Sequence, residues 1–93
     1  MPFSTNPLNQ KMDEKKQLAV LVGSKVRAFR KMKKMTIQDL AFEVGIEYTQ
    51  LSRIERGVIS TSLYQLYIIS KALEIDLVLL MKEIEASSFS ISS

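Results

Sequence analysis

The stretch from Ile37 to Arg56, IQDLAFEVGIEYTQLSRIER, decides the fold of this chain. Apolar residues recur at helical spacing on both sides of Gly45, a residue type that accepts positive φ at a corner without a Cβ clash. Ala41 is small where a following helix must approach closely. The positions expected to point into a shared core are Leu40, Val44, Ile46, Leu51 and Ile54. The stretch therefore predicts two short helices that cross at a tight turn.

Local signals place the ends of these two helices. Thr36 followed three residues later by Asp39 resembles a capping box with a shorter acid, and it predicts a helix that runs to about residue 44. The next helix is predicted from about Tyr48 to Arg56. It stops there because Gly57 follows, and glycine best tolerates the left-handed conformation after a helix end.

The N-terminal part of the chain has two segments of different character. Residues 1–10 contain two prolines and no helical periodicity, which predicts a flexible arm. Residues 11–34 carry apolar side chains at three- and four-residue spacing, which predicts a long amphipathic helix. Its apolar stripe consists of Leu18, Val22, Val26 and Phe29.

The C-terminal part predicts one more helix and one ambiguous element. Ser62 with Gln65 forms a second capping box, and the helix that it starts directs Leu63, Leu66, Ile69 and Leu73 towards the core. Residues 74–85 fit a helical stripe and also the alternation of a strand, but their length and the absence of turn signals favour a helix. Residues 86–93 include five serines and are expected to be disordered, so the folded domain is predicted to span 11–85.

Composition narrows the function class. The chain has 93 residues, 46% of them hydrophobic and 25% charged, as expected for one small soluble domain. It has no cysteine and no histidine, which removes disulfides, thiolate metal sites and the commonest general base. We therefore expect no enzymatic activity, no metal and no cofactor. No apolar run reaches the roughly 18–20 residues that span a bilayer, and we expect a cytoplasmic protein.

Charge is unevenly distributed along the chain. Residues 1–35 carry nine Lys or Arg against two acids, whereas residues 36–93 carry four against eight. The densest basic patch consists of Lys25, Arg27, Arg30, Lys31, Lys33 and Lys34. Such a patch attracts a phosphate backbone, although a solvated helix face has the same composition. Its position beside the two crossing helices favours phosphate binding.

The residues quoted above resemble the phage repressor and Cro type of helix-turn-helix, the xenobiotic-response-element (XRE) family. The resemblance covers about Leu18 to Met81 and is densest in FRKMKKMTIQDLAFEVGIEYTQLSRIERG, followed by TSLYQLYIISKAL. It implies an all-α fold, a lambda-repressor-like five-helix DNA-binding domain. A short dimerising strand is the alternative for the last element.

The resemblance also implies roles for individual residues. The second helix of the motif would lie in the major groove of double-stranded DNA, where Arg53 suits a bidentate contact with guanine. The base-reading set is Tyr48, Thr49, Ser52 and Arg53. The phosphate-contacting set is Lys33, Lys34, Thr36, Gln38 and Arg56. Arg30 and Glu55 occupy the positions of a partly buried structural ion pair. Many family members have glutamine at the position of Ile37, and isoleucine cannot make that amide contact with phosphate.

We therefore expect a transcriptional regulator, a repressor that binds an inverted-repeat operator as a homodimer. The dimer interface is predicted at Leu77, Leu80, Met81 and Ile84, because the first four helices leave little core for another apolar stripe. The alternative is that this stripe folds back onto its own domain. Two related functions share the fold: the antitoxin of a toxin–antitoxin pair, with a protein toxin as partner, and the controller of a restriction-modification system.

Overall fold

The computed structural model describes residues 7–87, with side-chain positions from residue 14 onwards. Within that range the chain forms five helices and no strand. They are α1 (Pro7–Met32), α2 (Ile37–Val44), α3 (Tyr48–Glu55), α4 (Leu63–Ala72) and α5 (Leu77–Ser87). The all-α, five-helix fold class is confirmed, and the strand alternative for the last element is wrong. No described helix is long and apolar enough to cross a membrane.

The start of α2 has the predicted capping box in full. The Thr36 hydroxyl accepts from the Asp39 backbone N–H at 3.0 Å, and the Asp39 carboxylate accepts from the Thr36 N–H at 3.0 Å. The bonds from Thr36 hold the pKa of Asp39 below its usual value, because they favour the ionised carboxylate. At the other end Gly45 adopts φ 86°, so the turn that leads into α3 forms at the predicted residue.

The bounds of two predicted elements, the first helix and the last, need correction. α1 begins at Pro7, so residues 7–10 belong to the helix and not to an arm. Proline suits the first position of a helix, since its fixed φ is helical and its missing N–H would have no intrahelical partner. α5 starts at Leu77, three residues after the predicted start at residue 74, and extends to Ser87, two residues beyond the predicted end. The rest of the predicted arm, 1–6, and of the predicted tail, 88–93, lies outside the described residues.

The start of α4 departs from the second predicted capping box. The Ser62 hydroxyl accepts from the Gln65 N–H at 3.0 Å, but the Gln65 side-chain oxygen accepts from the Thr61 hydroxyl, also at 3.0 Å. Leu63 was expected to face the core and is 68% exposed. It stands in the first turn of α4, where its side chain borders a cavity that Leu18 and Met81 also line. The other three predicted core residues of this helix are buried: Leu66, Ile69 and Leu73.

The core lies where all five helices pack around one another, and α2 contributes Leu40 and Ala41 to it. α5 folds back onto α1 and α4, which buries Leu80 completely and leaves Ile84 only 5% exposed. Both side chains therefore belong to the core of their own chain, and their prediction as dimer-interface residues is wrong. Leu77 is half-buried against the same core, whereas Met81 is exposed.

α1 and α3 cross at Gly23 with their backbones in close approach. A Cβ at Gly23 would lie 2.1 Å from the Ile54 carbonyl oxygen and 2.6 Å from that of Glu55. Any side chain at this position would push the C-terminal end of α3 away from α1. The cost of a glycine inside a helix is thus offset by a close approach of α1 and α3 that any Cβ would prevent.

Three helices end in the same hydrogen-bonded turn, the Schellman motif. In α1 the Met35 N–H donates to the Arg30 carbonyl and the Lys34 N–H to that of Lys31; α3 and α4 repeat the pattern. The residue in the left-handed position is Lys34 at φ 59°, Gly57 at φ 73° and Glu74 at φ 60°. Only one of these three positions has the glycine that the conformation favours.

We predict that Gly45→Ala and Gly57→Ala have unequal costs, although both place a Cβ at positive φ. Nothing lies within 4 Å of a Cβ at Gly45, so the backbone conformation alone should cost about 1 kcal/mol or slightly more. At Gly57 a Cβ would lie 2.7 Å from the Cα of Val20, and that overlap should add a further ~1–3 kcal/mol. Urea unfolding of the two variants measures the difference. Equal losses would contradict a close approach between Gly57 and α1.

Candidate nucleic-acid interface

α3 presents one solvent-facing side. Tyr48 is 54% exposed and Thr49 and Arg53 are also exposed, while Leu51 and Ile54 on the opposite side are buried. In the described part of the chain no ion pair or side-chain hydrogen bond engages the Arg53 guanidinium, so its donors face solvent. The structure thus brings three of the four predicted base-reading residues onto one accessible face.

The fourth predicted base-reading residue, Ser52, has a partner within the chain. It is half-buried, and its hydroxyl accepts from Arg56 Nε at 3.3 Å. Arg56 is exposed immediately after α3, so its remaining donors point towards solvent. This bond holds Arg56 beside the exposed face of α3.

The first turn of α2 offers donors and also an opposing charge. Gln38 is exposed there, and the backbone N–H groups of a first helical turn lack intrahelical partners. Both Thr36 groups in the capping box are committed to Asp39. The ionised Asp39 carboxylate also stands beside the predicted phosphate contacts, a repulsive charge that the sequence prediction did not include.

The basic patch predicted on α1 contains three residues that are buried or paired with a carboxylate and three that are exposed and unpaired within the described range. Arg30 is buried, Lys25 Nζ lies 3.9 Å from the Glu83 carboxylate, and Lys33 pairs with Glu74. The three remaining basic residues have no ion pair within the described range and are exposed: Arg27, Lys31 and Lys34. Of the two lysines assigned to phosphate, Lys34 is available and Lys33 is already paired.

The predicted ion pair between Arg30 and Glu55 is present and buried. Arg30 Nε donates to one Glu55 carboxylate oxygen at 2.7 Å and Nη2 donates to the other at 3.0 Å. Nη1 donates to the Met35 carbonyl at 2.7 Å. A planar guanidinium and a carboxylate match in this two-bond geometry, which fixes direction as well as distance. The end of α3 is thereby tied to α1 and to the turn before α2.

Gln65 also links α3 to α4, a role that the sequence prediction did not include. Its side-chain oxygen accepts from the Thr61 hydroxyl at 3.0 Å and from Gln50 Nε2 at 3.4 Å. These bonds join the loop after α3 and the first half of α3 to α4. The sequence offered only the Ser62–Gln65 spacing, which indicates capping and not this contact.

Comparison with known families now identifies the architecture. Residues 26–80 match the model of the family described as Helix-turn-helix. The chain belongs to the helix-turn-helix family. The matched range covers the capping box, the turn at Gly45 and all of α3, and the XRE-type resemblance of the sequence is confirmed. The family consists of DNA-binding transcription regulators.

Solved structures of three proteins resemble this one. The clp gene regulator ClgR from Corynebacterium glutamicum is 27% identical, with a TM-score of 0.74 and 81% of this chain and 96% of that chain covered. The restriction-modification controller protein C.AhdI from Aeromonas hydrophila is 29% identical, with a TM-score of 0.64 and coverage of 67% and 94%. The controller protein C.Esp1396I, as a tetramer in complex with its natural 35 base-pair operator, is 32% identical, with a TM-score of 0.64 and coverage of 73% and 95%. No protein of curated function matches the chain significantly.

We predict strong coupling between Arg30 and Glu55 in a double-mutant cycle. Arg30→Met or Glu55→Gln alone strands a buried charge or its partner groups and should cost about 3–5 kcal/mol, while the double variant should cost much less than the sum. The half-exposed pair Lys25 and Glu83 serves as the control, with an expected coupling of about 0–1 kcal/mol. Urea unfolding gives both values. Coupling no larger than in the control would contradict a structural role for the buried pair.

Proposed function

We propose that this helix-turn-helix protein binds an inverted-repeat operator in duplex DNA as a homodimer and represses transcription. The observation that carries the proposal is the exposed face of α3, which lies beside the free donors at the start of α2. In this family type a helix so placed enters the major groove while the preceding helix crosses the backbone. The protein acts by occupying its site in the cytoplasm, without catalysis.

Sequence preference comes from α3 in this proposal. Arg53 donates two hydrogen bonds to guanine O6 and N7, and the Thr49 methyl contacts a thymine methyl. Tyr48, at the first position of α3, borders the major groove of the DNA, where its ring stacks or its hydroxyl donates to a phosphate. Ser52 completes the base-reading set, although its bond with Arg56 limits how it can turn.

Contacts that do not depend on sequence come from the elements around α3. Lys34, Gln38 and Arg56 donate to phosphates together with the N–H groups at the start of α2. Thr36 contributes through its position at that helix start, and Lys33 contributes once it is released from Glu74. These contacts fix the register of α3 on the duplex and carry most of the salt dependence.

An apolar groove supports the homodimer. Side chains of α1, α4, α5 and the loop before α4 line a cavity of about 230 Å³, and Leu18, Leu63 and Met81 are exposed along it. On the same two C-terminal helices Tyr67 and Val78 are also exposed. A second copy seated here would cover this surface. Twofold symmetry would set two α3 helices roughly 34 Å apart, one turn of the duplex.

A restriction-modification controller is the second candidate function. Two of the three solved structures described above are such controllers, and one of them is bound to its operator. The same DNA-binding face serves either function. A methyltransferase gene beside the gene for this chain would favour the controller.

The DNA-binding proposal predicts different consequences for Arg53→Ala and Lys34→Ala. Arg53→Ala should remove about 1–3 kcal/mol of discrimination between a selected duplex and its scrambled sequence. Lys34→Ala should weaken both duplexes equally and make the slope of log affinity against log salt shallower by about 0.9. Fluorescence anisotropy across a salt series measures both effects, with duplexes selected from random DNA.

Two results would count against this assignment. If the unaltered chain binds no duplex at low salt, or binds with affinity independent of salt, the proposed function is wrong. If Arg53→Ala loses equal affinity on selected and scrambled duplexes, Arg53 does not contact base edges.

The homodimer proposal predicts that Met81→Glu yields a monomer and Leu79→Glu does not. Both residues are 44% exposed on α5, but they point about 160° apart around the helix and only Met81 borders the groove. A charge at Met81 would be desolvated between two copies, whereas a charge at Leu79 stays in water. Sedimentation at micromolar concentration, with circular dichroism to check folding, compares the two. A folded wild-type monomer, or a Met81→Glu dimer that binds the full palindrome normally, would exclude this interface.

A further inference from the structure

An exposed ion pair joins the ends of two helices next to the proposed DNA-binding face. Lys33 Nζ, at the end of α1, pairs with the carboxylate of Glu74, at the end of α4. The hydrogen bond and charge of Lys33 hold the pKa of Glu74 below its usual value. The carboxylate is therefore ionised at the neutral pH at which DNA would bind. Both side chains reach solvent, so the pair can open without unfolding the chain.

The backbone at Glu74 has a left-handed conformation that favours glycine over glutamate. Glu74 occupies the left-handed position of the Schellman turn after α4, the position that Gly57 occupies after α3. Glycine has no steric penalty there, whereas any other L-residue does. The turn alone therefore does not account for glutamate at this position, and its contact with Lys33 gives the side chain a role.

Lys33 is placed where a phosphate competes for it. It precedes Lys34 by one residue and the Thr36 cap of α2 by three, and the start of α2 is the end proposed to approach the DNA backbone. A lysine ammonium is a compact charge on a flexible stem, which can turn from a carboxylate to a phosphate. In the free protein that charge is held by Glu74.

We propose that Glu74 competes with DNA phosphate for Lys33 and thereby lowers affinity for all sequences alike. This inference rests on the proposed function and assigns regulation to the same binding face. When DNA binds, Lys33 leaves Glu74 and neutralises a phosphate, and the freed carboxylate gathers cations from solution. That uptake offsets part of the cation release from DNA, so Glu74 also moderates the salt dependence of binding.

The test compares Glu74→Gln with Glu14→Gln, alone and in a Lys33→Met background. Both glutamate substitutions remove one exposed negative charge, but residue 14 lies 19 residues before Lys33 on α1, about 28 Å away and beyond the screening length at physiological salt. Affinity for a selected and a scrambled duplex is measured by anisotropy across a salt series. Circular dichroism confirms that each variant is folded.

Glu74→Gln should bind both duplexes about two- to fivefold more tightly, as expected for loss of an exposed ion pair that competes with the ligand. Its salt slope should become steeper by up to about 0.9, while Glu14→Gln stays near wild type. In the Lys33→Met background the gain should disappear. A gain equal to that of Glu14→Gln, or one that persists without Lys33, would overturn the competition. A wild-type chain that binds no duplex would instead refute the proposed function, which separates the two failures.

Discussion

The buried guanidinium of Arg30 holds the proposed DNA-binding face together. It reaches from α1 to the Glu55 carboxylate at the end of α3 and to the Met35 carbonyl in the turn before α2. One side chain thus fixes both helices of the motif to the long helix behind them. Gly23 makes this geometry possible, because α3 can meet the backbone of α1 only where no Cβ intervenes. The exposed face of α3 points outwards because its opposite face is held in this way.

The sequence predicted most of the helices because their ends have local causes. Thr36 with Asp39, Gly45 and Gly57 act through backbone geometry and hydrogen bonds within a few residues, so spacing alone identifies them. Arg30 and Glu55 are 25 residues apart, and only the family resemblance predicted that they pair. Leu80 and Ile84 were misassigned because an apolar stripe has the same pattern whether it covers its own core or a second copy. Only the path of α5 back onto α1 decides between them.

The charges of the candidate site were harder to predict than its helices. A sum over residues 1–35 treats every lysine as available to phosphate, but pairing partners such as Glu74 and Glu83 lie far along the sequence. Arg30 counts in that sum and contributes nothing to the surface, since its charge is buried against Glu55. The number of unpaired cations at this surface therefore depends on the tertiary fold, and Lys25, Arg30 and Lys33 are paired although the composition counts them as available.

The three Schellman turns have the same backbone conformation, but the packing around one requires glycine and the packing around the other two allows a charged side chain. Gly57 lies against the backbone of Val20, so both its conformation and its neighbour exclude a side chain. Lys34 and Glu74 have the same left-handed conformation but face solvent, so a side chain costs only backbone strain. The tight positions follow from the crossing of α1 and α3, which the buried ion pair fixes. The open positions lie at the ends of α1 and α4, where a charge stays in solvent and, in the proposed complex, acts on DNA without disturbing the core.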